Sequence, residues 1–474
     1  MSQAKGEVLD QEYRKRETLW GHPKGLYILF FTELWERFSY YGMRAILVLY
    51  LIAETTDDNP GYGWTETEAL ALYGWYTMLV YLMSIPGGIV ADKLWGQKRT
   101  VLIGGILLCF GHGILAVEAL WAFYLGLTLI VLGVGGLKPN ISTMVGGLYP
   151  PGDDRRDKGF TIFYIGINVG ALLAALAVGY LGENWGWHYG FGLAGIGMVL
   201  GQIVFMWGTK FLKGIGESTS GLTKAEQAAK KRPLTKVEKD RVKVIVISFL
   251  LIIVFWGAFE QAGGLMNIYT KQKTDLYLAF LDFTVPASWF QSVNAFFIIT
   301  LGVPIASFWV WWKRKGKEGS SLFKMAIGVI IMGLGFLFMT GATLQYEAHG
   351  ESAMYWLVLA YLLHTVGELC ASPVALSFIT KLAPLKYASI MMGAYFAATG
   401  VGNKVAGLIG EFSQDAGELE TFTGIAVFCT IIGLLVIALL KPLKRLTHGA
   451  EEVKEGSHHE EQEPFELADD KQLS

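Results

Sequence analysis

The stretch Glu33-Leu34-Trp35-Glu36-Arg37-Phe38-Ser39-Tyr40-Tyr41-Gly42-Met43-Arg44 decides how this chain is read. It lies inside an apolar segment at about 25–53, long enough to cross a bilayer. Glu33, Glu36, Arg37 and Arg44 put four ionisable groups on one spanning helix. On insertion scales each costs roughly 2.5–3.5 kcal/mol at the bilayer centre, so four left unpaired would cost on the order of 10 kcal/mol. Such a helix is stable only where its charges face a water-filled cavity or charged partners on other helices. At about 100° per residue, Glu33, Arg37, Tyr40 and Arg44 fall within roughly 60° of one another, with Glu36 beside them. Trp35 and Phe38 point away, toward lipid or apolar neighbours.

Composition agrees with a membrane chain. The 474 residues are 53% hydrophobic and 17% charged, where soluble domains carry about 25% charged residues. No basic stripe lies outside the membrane-flanking loops, which excludes nucleic-acid binding. Cys109, Cys370 and Cys429 all fall in apolar segments and read as small buried hydrophobes rather than a disulfide framework. The polar N-terminal segment, 1–23, has no signal-peptide core, so the first span is read as an uncleaved anchor. Neither a metal cluster nor a nucleophile elbow nor a phosphate loop is present, and no cofactor and no enzymatic activity are expected.

Twelve apolar segments reach spanning length, at about 24–53, 68–92, 99–118, 121–148, 158–182, 188–212, 241–267, 286–312, 321–344, 353–382, 387–411 and 420–441. Alternate loops collect Arg14, Lys15 and Arg16; Lys93, Lys98 and Arg99; Arg155, Arg156 and Lys158; Lys313, Arg314, Lys315 and Lys317; and Lys441, Lys444 and Arg445. The opposite loops hold Lys271 and Lys273 among acids such as Asp57, Asp58, Glu347, Glu351, Asp415 and Glu418. This positive-inside pattern predicts both termini in the cytoplasm. A polar linker at 213–240, with some helix near 224–231, separates a six-helix half at 24–212 from another at 241–441. An acidic tail at 442–474 follows, low in aromatics and expected to be disordered beyond about 447.

The halves echo each other. The fourth span carries Lys138-Pro139, and its counterpart, the tenth, carries Glu368 and Ser372-Pro373. The fifth carries Gly166-Ile167-Asn168-Val169-Gly170 and the eleventh Gly400-Val401-Gly402-Asn403. Interruptions at matching positions of two halves predict a secondary transporter with its substrate site near the midplane. Charge at depth is otherwise scarce. Lys138 lies about mid-span beside a proline that weakens the helix, which favours function over snorkelling. Glu260 lies in the seventh span, the counterpart of the first. Complementarity pairs Lys138 with Glu368 and Arg44 with Glu260, and pairs made in one state and broken in another would act as gates. Arginines do not release protons in any working range, so proton chemistry falls to glutamates. Burial opposes a charged carboxylate and a neighbouring arginine favours it, and Glu33 and Glu36 beside Arg37 have both influences.

Glu33-x-x-Glu36-Arg37-Phe38-x-Tyr40-Tyr41-Gly42 resembles the E-x-x-E-R-F-x-Y-Y-G signature of proton-dependent oligopeptide transporters, within the major facilitator superfamily. Gly87-Gly88-x-x-Ala91-Asp92-x-x-Trp95-Gly96-x-Lys98-Arg99 resembles the superfamily's loop between helices two and three. Phe163-Tyr164-x-x-Ile167-Asn168-x-Gly170 resembles the signature in helix five. The similarity extends over about 26–440. It implies an all-α membrane protein of the major facilitator fold, twelve transmembrane helices in two six-helix halves, importing di- and tripeptides with protons from the bacterial inner membrane as a monomer among lipids. It further implies that Arg37 and Lys138 attract the substrate carboxylate, that Glu368 with Asn294 holds its amino end, and that Asn168 hydrogen-bonds the peptide backbone. Tyr40, Tyr81, Trp256, Ser372 and Tyr395 would line side-chain pockets. Glu33, Glu36 and Glu260 would handle protons, with Arg44–Glu260 as the extracellular gate.

The chain departs from the family in three places. The linker is too short for two extra helices found in many bacterial members. Tyr395 stands where tryptophan is frequent. No histidine occupies 72–75, where animal members carry one. His112 and His364 are read as packing histidines, although His364 lies one turn before Glu368. Lys404 has no assigned partner. Two other readings stay open: an anion or organic-acid transporter on the same scaffold, which the glutamates around Arg37 argue against, and a peptide-binding membrane sensor.

Overall fold

The computed structural model describes residues 17–150, 153, 155–217, 233–384 and 387–450. The basic residues Arg14, Lys15 and Arg16, the helix expected near 224–231 and the acidic tail beyond 450 lie outside the described residues.

Twelve long helical rods run through the described residues: α1 (Lys24–Ile52), α2 (Glu66–Trp95), α3 (Gln97–Leu115), α4 (Leu120–Gly146), α5 (Arg155–Asn184), α6 (Trp187–Leu212), α7 (Lys236–Lys273), α8 (Ala287–Arg314), α9 (Ser321–His349), α10 (Met354–Leu382), α11 (Ala388–Ala416) and α12 (Glu418–Ala438), followed by a short α13 (Leu440–Leu446). Ten of these are long and apolar enough to cross a membrane. The remaining two are α1 and α11, where the charged stripe in one and Gly, Asn403 and Lys404 in the other lower the hydropathy. Three two-residue ribbons complete the described secondary structure: Thr18–Leu19 with His22–Pro23, Tyr277–Leu278 with Phe283–Thr284, and Thr274–Asp275 with Ser352–Ala353.

Local chemistry starts and stops these rods. Thr65 and Thr235 cap α2 and α7, each in a capping box with a glutamate three residues on, Glu68 and Glu238. Buried hydroxyls inside the spans return to their own helix: Thr32 donates to the Ile28 carbonyl, Thr77 to that of Tyr73, and Thr365 to that of Tyr361. That satisfies groups for which a bilayer offers no water.

The apolar residues form two core clusters, one centred on α1–α6 and one on α7–α12. Both chain termini of the described bundle lie at one end; the opposite end, with the α1–α2 and α7–α8 loops, is termed distal. Packing of α5 on α8, α2 on α11, and the last part of α7 on α1 joins the two sets.

The seventh span extends further than its hydropathy indicates, to Lys273, because it is broken rather than ended. A regular helix runs over Lys236–Phe259, a 3₁₀ turn over Glu260–Ala262, and a second helix over Leu265–Lys273. Gly263 sits at the break, where an added Cβ would strike the Tyr73 hydroxyl of α2, so only glycine permits this approach.

Candidate functional site

On α1, the stripe points inward as its spacing predicts. Glu33, Glu36, Arg37, Tyr40 and Arg44 are all buried, Glu33 and Glu36 completely. Arg37 donates to Glu33 Oε1 from Nε at 2.8 Å and from Nη2 at 2.6 Å, and its Nε lies 3.2 Å from Glu36 Oε2. One guanidinium therefore serves two carboxylates. Glu33 Oε2 and both Glu36 oxygens have no hydrogen-bond donor among the described residues. Buried carboxylate oxygens without donors are costly, and a proton is the smallest group that relieves them. Helix α5 comes close enough to enclose this triad because Gly170 has no Cβ: an added one would run into the Leu34 carbonyl and crowd Arg37. The helix-five motif is thus explained by contact with the stripe.

Two turns along α1, Arg44 Nη1 donates to Glu260 Oε1 at 3.1 Å and Oε2 at 2.9 Å, and the Tyr73 hydroxyl donates to Glu260 Oε2 at 2.9 Å. The Arg44 guanidinium also lies 4.9 Å from the Tyr41 ring centre. The break in α7 places Glu260 at this depth. The other complementary pair is not formed. Lys138 Nζ sits 3.7 Å from the centre of the Tyr81 ring, while Glu368 Oε2 accepts from Asn294 Nδ2 at 2.8 Å. Asn294 also donates to Thr365 Oγ1 at 3.0 Å, which fixes its amide.

Between the halves lies a cavity of about 150 Å³, whose lining brings Arg44 and Glu260 together with Tyr81, Asn168, Trp256, Asn294, Glu368 and Ser372. Asn168 donates to the Tyr164 carbonyl at 2.9 Å and lines the cavity. Tyr395 lines a small apolar niche next door, which shares Trp256 and Ser372 with the main cavity. Arg37, Glu33, Glu36, Lys138 and Tyr40 do not line the cavity. Arg37 is engaged by its own glutamates, and Tyr40 is stacked toward Tyr76 with ring centres 6.5 Å apart. A larger cleft of about 910 Å³ lies at the distal surface among Asp58, Asn59, Glu118 and Trp185 and contains none of the stripe.

The lining also includes Tyr41, Tyr164, Gln291 and Tyr361, which sequence reasoning did not assign. Tyr41 and Tyr164 stand inside the quoted motifs, and Gln291 stands three positions before Asn294 at the start of the eighth span; these are the available signals. His364 packs on Phe336 with ring centres 4.4 Å apart, and His112 is fully buried. Lys404 has partners after all: Glu411 at 3.2 Å on its own helix and the Trp75 ring of α2 at 5.0 Å. Cys109, Cys370 and Cys429 are free thiols.

Residues 98–229 and 225–425 match the family model described as POT family. The chain belongs to the POT family. It is 37% identical, over 90% of its length and 96% of the relative's, to the uncharacterized transporter YclF of Bacillus subtilis (strain 168). It is 35% identical, over 91% and 98%, to a di-/tripeptide transporter of Lactococcus lactis subsp. cremoris. Among solved structures, the peptide transporter POT in complex with sulfate superposes with a TM-score of 0.84 at 35% identity, covering 91% of this chain and 97% of that one. This POT-family chain is accordingly an integral membrane transporter of the major facilitator type, and not an enzyme.

Proposed function

We propose that the chain imports di- and tripeptides together with protons by alternating access. The observation that carries this reading is the cavity between the halves. It presents Glu368, held by Asn294, on one wall and Asn168, Tyr81 and Trp256 around it, with Arg37 and Lys138 just outside. A zwitterionic peptide needs an acid at one end, cations at the other and an amide partner between. The names of the relatives agree with that chemistry.

Arg37 is the key to coupling. While Glu33 and Glu36 are charged, they occupy the guanidinium. A proton on either weakens that hold and frees Arg37 for a substrate carboxylate. Around the cavity, Glu33, Glu36, Glu260 and Glu368 make four acids against three cations, Arg37, Arg44 and Lys138, so one proton makes the cluster neutral. A neutral cluster is the form most readily carried through a conformational change in low dielectric. A proton moving inward across 100 mV gains about 2.3 kcal/mol.

Arg44–Glu260 acts as the extracellular gate and Lys138–Glu368 as the cytoplasmic one, with the distal end facing outward. The halves 24–212 and 241–441 rock about the site as the two moving units. The linker 213–240 and the tail 442–474 lie in the cytoplasm, and the protein works as a monomer in the lipid of a bacterial inner membrane. The test is uptake of labelled dialanine into sealed liposomes under an imposed inward pH gradient. Gradient-driven accumulation is expected, and its absence in well-sealed vesicles removes the symport reading.

A further inference from the structure

One carboxylate away from the stripe is held entirely by the opposite half. Glu183 stands in the last turn of α5, with its side chain 3% exposed. Its Oε1 accepts from the Ser288 backbone N–H at 2.9 Å and from the Ser288 hydroxyl at 2.7 Å. Its Oε2 accepts from the Ala287 N–H at 3.3 Å and from Lys271 Nζ at 3.1 Å. Ala287 and Ser288 open α8, so two of these donors are backbone groups that a helix start leaves without intrahelical partners. The positive end of the helix favours an anion there. An acid on α5 thus caps α8 across the interface between the halves. The junction is braced next to it by Trp289 Nε1 donating to the Leu176 carbonyl at 2.9 Å, and the end of α5 is held within its own half by Asn59 Nδ2 donating to the Gly182 carbonyl at 2.8 Å.

We propose that Glu183 is a second distal latch, acting beside Arg44–Glu260, whose role is to hold the closed form of the distal mouth. The inference rests on the alternating-access reading. Parting α5 from α8 strips three donors, two backbone N–H groups and a hydroxyl, from one carboxylate in a single movement and leaves the start of α8 uncapped. Glu183 lines no part of the central cavity and touches none of Glu33, Glu36, Arg37 or Glu368. It therefore sets the balance between open and closed forms without entering substrate or proton chemistry.

The test uses the full chain in lipid nanodiscs, with Cys109, Cys370 and Cys429 replaced by alanine and spin labels on W185C and F280C. Both positions are well exposed, Trp185 at 70% and Phe280 at 80%, and they flank the distal mouth from opposite halves. Pulsed-dipolar distance distributions are then compared for variants of matched melting temperature. E183A is expected to raise the long-distance population about tenfold, which corresponds to a modest shift between two states. E183Q keeps an acceptor for Ser288 and is expected to show a smaller rise, and K271M, which leaves the cap intact, a smaller one again. An unchanged distribution in E183A overturns the latch, and so does a K271M effect as large as that of E183A, which would reduce the contact to a plain ion pair. Where E183A does not fold, E183Q and S288A carry the same comparison. The measurement needs no peptide, so a failure of the import reading and a failure of the latch are told apart.

Discussion

The two acid–base pairs drawn from facing halves share their chemistry and stand in opposite conditions, one formed and one not. Arg44 reaches both Glu260 carboxylate oxygens from one nitrogen, Nη1, in a buried contact reinforced by Tyr73. Lys138 and Glu368 are each occupied by a neutral neighbour, the Tyr81 ring and the Asn294 amide. The inter-half hydrogen bonds repeat the contrast. Asn267 and Gln291 donate to the Ala45 carbonyl at 2.9 and 3.2 Å, and Gln272 donates to Glu66 at 2.9 Å, all toward the distal end. By comparison, α4 and α10, which carry Lys138 and Glu368, are not extensively packed on each other. One end of the site is closed by charge pairing while the other end's charges wait on neutral substitutes. The substitutes matter, because a buried charge abandoned without any partner would cost far more than a ring or an amide saves.

Breaking the closed pair has the largest expected effect. R44A or E260A leaves one buried charge uncompensated, at a cost of about 3–5 kcal/mol, read as a lowered melting temperature and loss of gradient-driven uptake. R44M/E260M, which removes both charges, is expected to be more stable than R44M or E260M alone; strict additivity in that cycle would show that the two side chains are not coupled. The open pair responds differently. K138M loses only a ring contact, worth about 1–2 kcal/mol, yet uptake is expected to drop at least about tenfold because one gate can no longer form. A stability loss in K138M equal to that of R44A would erase the distinction between the pairs.

The third expectation concerns coupling rather than closure. E33Q keeps an acceptor for Arg37 but removes a charge, so dipeptide exchange is retained while accumulation against a gradient is lost. Accumulation at the level of the unaltered protein would take Glu33 out of the coupling role. The smallest effect lies at the surface, far from either gate. Glu318 accepts from Lys444 at 2.9 Å and from the Ser320 N–H at 2.9 Å. Partial burial opposes its charged form, but these donors outweigh it and hold the carboxyl at about 2. A folded value below the ordinary one, about 4.3, means that the contribution is present at neutral pH and fades as pH falls through 4 toward about 2. E318Q is expected to cost under about 1 kcal/mol near neutrality, and its melting temperature should approach that of the unaltered chain below pH 4 and converge on it only near pH 2. A gap that persists unchanged in acid would assign the effect to something other than this charge.

How much of this the sequence discloses depends on the range of the interaction. The inward stripe, the twelve rods and the Arg44–Glu260 contact follow from periodicity, apolar length and charge complementarity, each a property of residue type and spacing. What spacing does not contain is the state of a two-state machine. Lys138 and Glu368 match by sign, but whether they touch depends on how the two halves are tilted, and no local residue encodes that. Arg37 was assigned to substrate from its motif, while its engagement by Glu33 and Glu36 depends on rotamers one turn apart. Glu183 escapes a reading by spacing for a related reason. In the sequence it is one acid in a loop-like run, Gly182-Glu183-Asn184, and only the arrival of α8 from 104 positions away makes it a buried acceptor.

The break in α7 bears on the order in which the mouth comes apart. Beyond Gly263 and Gly264, the nine residues Leu265–Lys273 form a lever about 13 Å long. Asn267 lies near its root, and Lys271 and Gln272 lie near its tip. A tilt of about 15° moves that tip by roughly 3.5 Å on helical geometry, enough to part Lys271 from Glu183 and Gln272 from Glu66, while Glu260, on the near side of the pivot, hardly shifts. A tilt about this break would therefore take the distal contacts from rim to root, the peripheral bonds before the charged pair at the fulcrum.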